Sequence, residues 1–275
     1  MGQGINDGFN TQQNIAFLSR NDVLNRHGNV LGSYLILPAL RGLWVNGVGP
    51  STLISNAGAL HDISGLNNRL GQANNPLYDF ENLIPFLELD GSSQYFATSD
   101  ATSNNSFDIL GTEAYVGTPG LTLGMWTKID AVNPANQNTI MAKFETTGNQ
   151  RSYQLFMAGG GGTDVYSFQV SNNGSSTSSV NSSVTITPAT QWYLVIGRFV
   201  PSTSLDIFVN GTKSTNTTSI PASIFNSTAN FTIGAINTPA RYFDGKLSVG
   251  FICASALSDS LIDALYQQGR VLYNA

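Results

Sequence analysis

The chain reads as an all-β protein: two antiparallel sheets packed face to face, preceded by an N-terminal arm and accompanied by short helices. Three observations predict this. From Leu83 onward, short apolar runs recur between turn residues, the pattern of strands joined by tight connections. Within most of those runs apolar residues alternate with polar ones, so each strand has one side for a core and one for water. Charged residues make up only 11% of the chain, against about a quarter in an ordinary protein. Asn, Ser, Thr and Gly replace them, and these residues favour turns and strand rims over helix interiors.

Residues 1–19 are rich in Gly, Asn and Gln and have little to pack with. They are expected to form an extended assembly arm that contacts another subunit. Residues 20–82 read as a leader of short helices and irregular structure. One helical segment runs over 22–27 and stops at Gly28; a second covers 33–37, before Pro38. Leu40, Leu43 and Trp44 continue an apolar face. Asn46-Gly47, Gly49-Pro50, Asn67-Asn68 and Asn74-Asn75-Pro76 then point to turns and loops up to residue 82.

Residues 83–275 form the sandwich. Pro85 to Asp90 and Gln94 to Phe96 open it, and Leu121, Leu123 and Met125 alternate before Trp126. Ile140, Ala142 and Phe144 are expected to share one strand face, as are Tyr166, Phe168 and Val170, and Val180, Ser182, Val184 and Ile186. Trp192 to Val200 is apolar on both faces apart from Arg198, which predicts a central strand. Leu205, Ile207 and Val209 alternate up to Asn210-Gly211, a type I′ hairpin signal because both turn positions need positive φ. Phe231, Ile233 and Ala235 follow, and Leu247, Val249 and Phe251 close the strand series. Ser258-Asp259 caps a helix with Leu261, Ile262 and Leu265 on one face, expected to end at Gly269. Trp126 and Trp192 are expected to be buried at strand centres.

Composition excludes several functions. The net charge is −5 with no Lys/Arg cluster, so the basic footprint of a nucleic-acid binder is missing. No apolar stretch approaches the ~18 residues of a membrane-spanning helix. Met1-Gly2-Gln3-Gly4 lacks the basic start and apolar core of a secretory signal. The single cysteine, Cys253, lies in an apolar run and reads as a small core residue. A hydrolase triad or a transition-metal site needs more than His27, His61 and Cys253 supply. Gly159 to Gly162 lacks the Lys and helix of a phosphate loop. Glycoside hydrolysis needs two positioned carboxylates, yet the four glutamates, Glu81, Glu88, Glu113 and Glu145, are scattered. For sugar binding, Tyr115, Tyr153, Tyr242 and Trp44 are the aromatic candidates, although strand alternation assigns most aromatics to the core.

Several motifs together resemble a known family. Leu87-Glu88-Leu89-Asp90-Gly91-Ser92-Ser93-Gln94-Tyr95-Phe96 is similar to the opening strand pair of laminin G-like, or concanavalin A-like, jellyroll domains. Leu121 to Lys128 resembles their strand with a characteristic Trp. Gln191-Trp192-Tyr193 and Leu205 to Gly211 resemble their paired central strands and hairpin. Asp244-Gly245-Lys246-Leu247, Ala256-Leu257-Ser258 and Leu265 to Gly269 resemble the closing strand and terminal helix. The segment through Arg20-Asn21-Asp22, Leu37-Pro38-Ala39-Leu40-Arg41-Gly42-Leu43-Trp44 and Leu60-His61-Asp62 resembles the leader of such domains in bacteriophage structural proteins.

The resemblance implies a two-sheet antiparallel jellyroll. Relatives hold calcium near the opening and closing strands, and Asp90 and Asp244 occupy the corresponding Asp-Gly positions; alternatively each Asp-Gly only makes a turn. Calcium is the one ion expected, and no cofactor is expected to be required. One enzyme branch carries a Glu-x-Asp-x-x-Glu strand, which Glu88 and Asp90 begin but Ser93 breaks, so no catalytic residue is assigned. The expected function is a non-enzymatic virion structural protein, a capsid decoration or tail component displayed on the virion surface. Its partners would be other virion subunits, further copies of itself and a host-surface glycan. The alternative is a carbohydrate-binding or adhesin module recognising such a glycan.

Overall fold

A computed structural model of the chain describes residues 33–45, 59–81, 84–103, 106–113, 117–131, 137–159 and 164–275. The expected arm at 1–19 and the helix expected at 22–27 lie outside these residues. Among the described residues the strands are β1 (Leu40–Trp44), β2 (Ala59–Leu60), β3 (Leu70–Ala73), β4 (Leu77–Glu81), β5 (Ile84–Asp90), β6 (Tyr95–Thr98), β7 (Leu121–Ile129) and β8 (Asn138–Glu145). They continue with β9 (Gln150–Ala158), β10 (Val165–Gly174), β11 (Ser178–Thr185), β12 (Tyr193–Val200), β13 (Ser204–Val209), β14 (Thr212–Asn216), β15 (Phe231–Ile233) and β16 (Asp244–Cys253). A single long helix, α1 (Asp259–Tyr273), follows, and residues 33–35 make a helical turn before Pro38.

The strands form the expected sandwich. The first sheet runs β14-β13-β12-β7-β16-β5-β4, with β1 added beside β16. The second runs β11-β10-β9-β8-β15-β6-β3-β2. Every pairing is antiparallel, and β12 lies between β13 and β7 as a central strand. At the β13–β14 hairpin, Asn210 (φ 47°) and Gly211 (φ 79°) both take positive φ, as the Asn-Gly signal requires.

Two apolar layers hold the molecule together. Between the sheets lie Leu121, Leu123, Leu155, Phe168, Val195, Ile207, Ile233 and Leu247 with their neighbours. On the outer side of the first sheet, Trp126, Trp192, Leu194, Ile196, Phe208 and Phe251 pack under α1 and the 33–45 segment. This second layer explains why β12 reads as apolar on both faces. Trp126 and Trp192 are both buried, as expected. Trp126 stacks on Tyr273 of α1 with ring centroids 4.0 Å apart, a geometry that adds ~0.5–1.5 kcal/mol to area burial.

The helix differs from expectation at its end. Ser258 caps the N-terminus by accepting from the Leu261 N–H, but α1 runs through Gly269 and stops at Asn274, which takes the left-handed conformation at φ 50°. Gly269 is needed for contact, not termination. A Cβ there would lie 2.4 Å from Trp126 Cζ2, so only glycine lets the helix settle onto the ring.

Residues 40–81, expected to be irregular, supply four strands instead. They are short and interrupted by Gly and Asn, which hides the alternation, and their partners are distant in sequence. β1 pairs with the far half of β16, Leu40 opposite Cys253 and Trp44 opposite Gly250. β4 extends the first sheet beside β5.

The expected shared face of Ile140, Ala142 and Phe144 is also revised. A register shift between Thr139 and Met141 inserts Ile140 as a bulge. Ile140 and Met141 both enter the inter-sheet core, while Ala142 and Phe144 turn to the outer face, where they pack with Ile236.

Candidate functional site

The Asp90–Asp244 corner lies where β5 meets β16. The two residues are direct register partners, as the resemblance implied, and adjacent antiparallel partners present their side chains on one face. Gly91 (φ 67°) fits against Asp244, since a Cβ would lie 2.7 Å from the Asp244 Cβ. Gly245 also has positive φ, at 137°. Asp90-Gly91 therefore ends β5 at a bend, whereas Asp244-Gly245 lies within β16, paired with Asp90 and Leu89, and does not make the turn that its sequence suggested.

The two carboxylates have different surroundings. Asp90 Oδ1 accepts from the N–H groups of Ser92, Ser93 and Gln94 at 3.0, 2.8 and 3.0 Å, and Oδ2 accepts from Ser93 Oγ at 2.7 Å. Partial burial pushes the Asp90 carboxyl up, but these donors together outweigh it and hold it well below the usual carboxylate range. Asp244 moves the other way. Burial raises it, and the neighbouring charges of Asp130 and Asp90 add to the rise. Among the described residues, no group of three or more His, Cys, Asp or Glu side chains converges to hold a metal ion.

The other sequence candidates separate. Glu88 stands opposite Lys246 in the β5–β16 register, and the Asp90 oxygens accept from the Ser92–Gln94 turn. Trp44 and Tyr153 are fully buried between the sheets, where Trp44 stacks on Phe231 with centroids 5.4 Å apart. Tyr115 lies outside the described residues. Tyr242 alone of these aromatics reaches the surface region, 6.3 Å from Tyr95. Cys253 is buried beneath the α1 layer, which pushes its thiol up.

With α1 covering the first sheet, the outer face of the second sheet carries the remaining concentration of polar chemistry. Its centre is a row across three strands. Gln169 Nε2 of β10 donates to Gln154 Oε1 of β9 at 2.7 Å, and Gln154 Nε2 donates to Thr139 Oγ1 of β8 at 2.9 Å. Beside it, Ser167 Oγ donates to Asn181 Oδ1 at 2.6 Å. Gln154 is 0% and Gln169 7% exposed, so the row is a rigid, satisfied floor.

At one end of this floor stands Phe144, with the guanidinium carbons of Arg151 and Arg241 at 5.9 and 5.8 Å from its ring centroid. Arg241 is aimed there by a left-handed backbone (φ 56°) whose carbonyl accepts from the Thr139 N–H at 2.9 Å. Amides, hydroxyls, aromatic rings and guanidiniums in one place are the groups that recognise a sugar, hydroxyls by the polar atoms and ring faces by the aromatics. Sequence reasoning missed this row. Gln154, Gln169 and Arg151 are ordinary strand residues until the sheet aligns them, and the bulge at Ile140 hid the outward turn of Phe144.

Comparison with known proteins agrees with this architecture. The laminin G family model described as the concanavalin A-like lectin/glucanases superfamily matches residues 90–263. A sequence search of curated proteins gave no match. Among solved structures, that of botulinum neurotoxin type C, whose cell entry is dependent upon interaction with two ganglioside molecules, superposes with TM-score 0.58 at 14% identity over 83% of this chain and 51% of that one. The binding domain of botulinum neurotoxin DC in complex with rat synaptotagmin II gives TM-score 0.59 at 16% identity, covering 83% and 51%. The same domain in complex with SialylT gives TM-score 0.55 at 15% identity, also covering 83% and 51%. The chain thus spans about half the length of these structures, and at this identity the likeness is one of fold.

Proposed function

Starting from a chain that belongs to the concanavalin A-like lectin/glucanases superfamily, we propose that it is a non-enzymatic glycan-binding module whose contact surface is the outer face of the second sheet. The observation that carries this reading is the Thr139–Gln154–Gln169 row ending at Phe144, Arg151 and Arg241. The row itself is buried and satisfied, so a saccharide on this face would meet the groups at its margin, the exposed Asn181 and the half-buried Arg151 and Arg241, held by that fixed floor. Pre-ordering of the floor lowers the entropic cost of binding. The similarity in fold to toxin domains that engage gangliosides or SialylT supports the reading without fixing a ligand.

Display of the module on a bacteriophage virion, with self-association and contacts to other virion subunits, is the finer form of this proposal. Its support is the charge-poor composition and the resemblance of the 20–65 leader to phage proteins.

The experiment is a binding screen of the intact chain on an immobilised panel of neutral and acidic oligosaccharides, repeated with Asn181→Ala and Gln169→Ala. The reading expects at least one glycan to bind, and binding to fall in these variants while their melting curves stay cooperative. Absence of binding across the panel, or binding that both variants retain in full, would overturn it.

A further inference from the structure

We infer that Arg151 and Arg241 form an anion subsite that selects saccharides carrying a carboxylate. The inference rests on the glycan-binding reading above and names the class of sugar that this face takes.

Five of the other basic side chains are taken up by carboxylates. Lys128 and Lys246 hold Glu81 at 2.7 and 2.9 Å. Lys143 holds Asp108 at 3.0 Å and Asp100 as well. Arg198 and Lys213 share Asp206 and Asp259. Arg151 and Arg241 have no carboxylate among the described residues. Among the described residues each makes one hydrogen bond, to a neutral acceptor: Arg151 Nη1 to the Ser175 carbonyl and Arg241 Nη1 to Gln137 Oε1. An arginine offers five N–H donors in a fixed fork, so most of theirs have no acceptor among the described residues.

The two guanidiniums also lie where like charges should not gather. Both are within 6 Å of one buried ring, and Arg241 is half-buried, with desolvation first and the charge of Arg151 second in disfavouring its cationic form. The acid next in sequence to Phe144 does not relieve this. Glu145 is turned to its own loop, Oε1 accepting from the Thr147 N–H at 3.0 Å and Oε2 from Asn237 Nδ2 at 3.0 Å and from Thr238 Oγ1.

Two forks held against an aromatic face, partly desolvated and lacking a counter-charge, present what a sugar carboxylate needs. The buried ring holds the two guanidiniums in place, and the guanidiniums take the acid.

The test compares lactose with lactose extended by a terminal sialic acid, and a second acidic probe, digalacturonate, by titration calorimetry on the intact chain. Wild type should bind the acidic probes more tightly than lactose, and raised salt should narrow the gap. Arg151→Gln and Arg241→Gln should each weaken acidic-probe binding by about tenfold or more, the scale of a lost charged hydrogen bond, with lactose binding little changed. Should either Gln variant fail to fold, Arg151→Lys and Arg241→Lys keep the charge and break the fork, and are expected to lower the acidic preference measurably. Lactose binding with no acidic preference, or an acidic preference that the arginine variants retain, overturns this inference and leaves the glycan-binding reading standing. Failure of every probe to bind at this face overturns both.

Discussion

Arg198 and Asp206 face each other across β12 and β13, with Nε and Nη2 both donating to Asp206 Oδ2 at 2.9 and 2.7 Å. Asp206 is fully buried and also accepts from Ser204 Oγ and Thr215 Oγ1. The third arm of Arg198, Nη1, reaches the Leu257 carbonyl at 2.6 Å and Asp259 at the start of α1. One guanidinium therefore joins the hairpin to the helix that seals the outer apolar layer.

Removing Asp206 should leave Arg198 Nε and Nη2 without that acceptor, with Nη1 alone still held by Leu257 and Asp259. Asp206→Ala is expected to cost about 3–5 kcal/mol, whereas replacing the pair together by Leu and Met should cost far less. Urea unfolding of the single and double variants checks this. Equal losses in both would show that the pair is not an isolated buried charge couple.

Gly269→Ala offers a sign test of helix packing. In an exposed helix interior the change would stabilise by about 1 kcal/mol. Here the new Cβ meets Trp126 Cζ2 at 2.4 Å, and overpacking of this kind costs about 1–3 kcal/mol. The melting temperature is expected to fall; a rise would mean that α1 does not rest on Trp126.

Asp90 and Asp244 should give opposite pH signatures. Asp90 is held below its unfolded value, so its contribution is present above the ordinary aspartate pKa of about 3.9 and is lost as pH falls toward the folded value. Asp244 is raised, so the folded state is favoured below about pH 3.9 and that advantage disappears as pH rises through its folded value. Asp244→Asn should thus raise the melting temperature at pH 7 and Asp90→Asn lower it, with both differences shrinking in acid. Without an ion site a chelator leaves the wild-type curve unmoved. A calcium-dependent rise that Asp244→Asn abolishes would instead identify the corner as an ion site.

Hydrolysis is the next check. Glu88 faces Lys246, and the Asp90 oxygens are committed to their own turn, so purified protein is expected to release no reducing sugar from β-glucans, with Glu88→Gln identical to wild type. Turnover that disappears in Glu88→Gln would refute the non-enzymatic reading.

The strands from Leu83 onward were legible because alternation is local: Leu205, Ile207 and Val209 need only their own neighbours to announce a face. The Asn210-Gly211 hairpin was legible for the same reason. β1 was not, because its strand character depends on β16, whose partner Cys253 lies far along the chain from Leu40. Gly269 shows a local rule overridden by a tertiary contact, a helix stop in sequence that became a ring contact in the fold. Of the candidate site, the family resemblance implied that the strands of Asp90 and Asp244 lie near each other, and the two residues are register partners. The sequence could not show the Thr139–Gln154–Gln169 row or the meeting of Arg151 with Arg241, since each rests on sheet register and a loop returning to β8.

The most direct measurement is amide hydrogen exchange of the intact chain with and without a saturating glycan found in the binding screen. The account expects new protection in peptides from β8, β9 and β10 and from residues 237–243, with the Asp90–Asp244 corner and α1 unchanged. Protection confined to that corner or to α1, with β8 to β10 exchanging as before, would contradict the assignment of the second sheet's outer face as the binding surface.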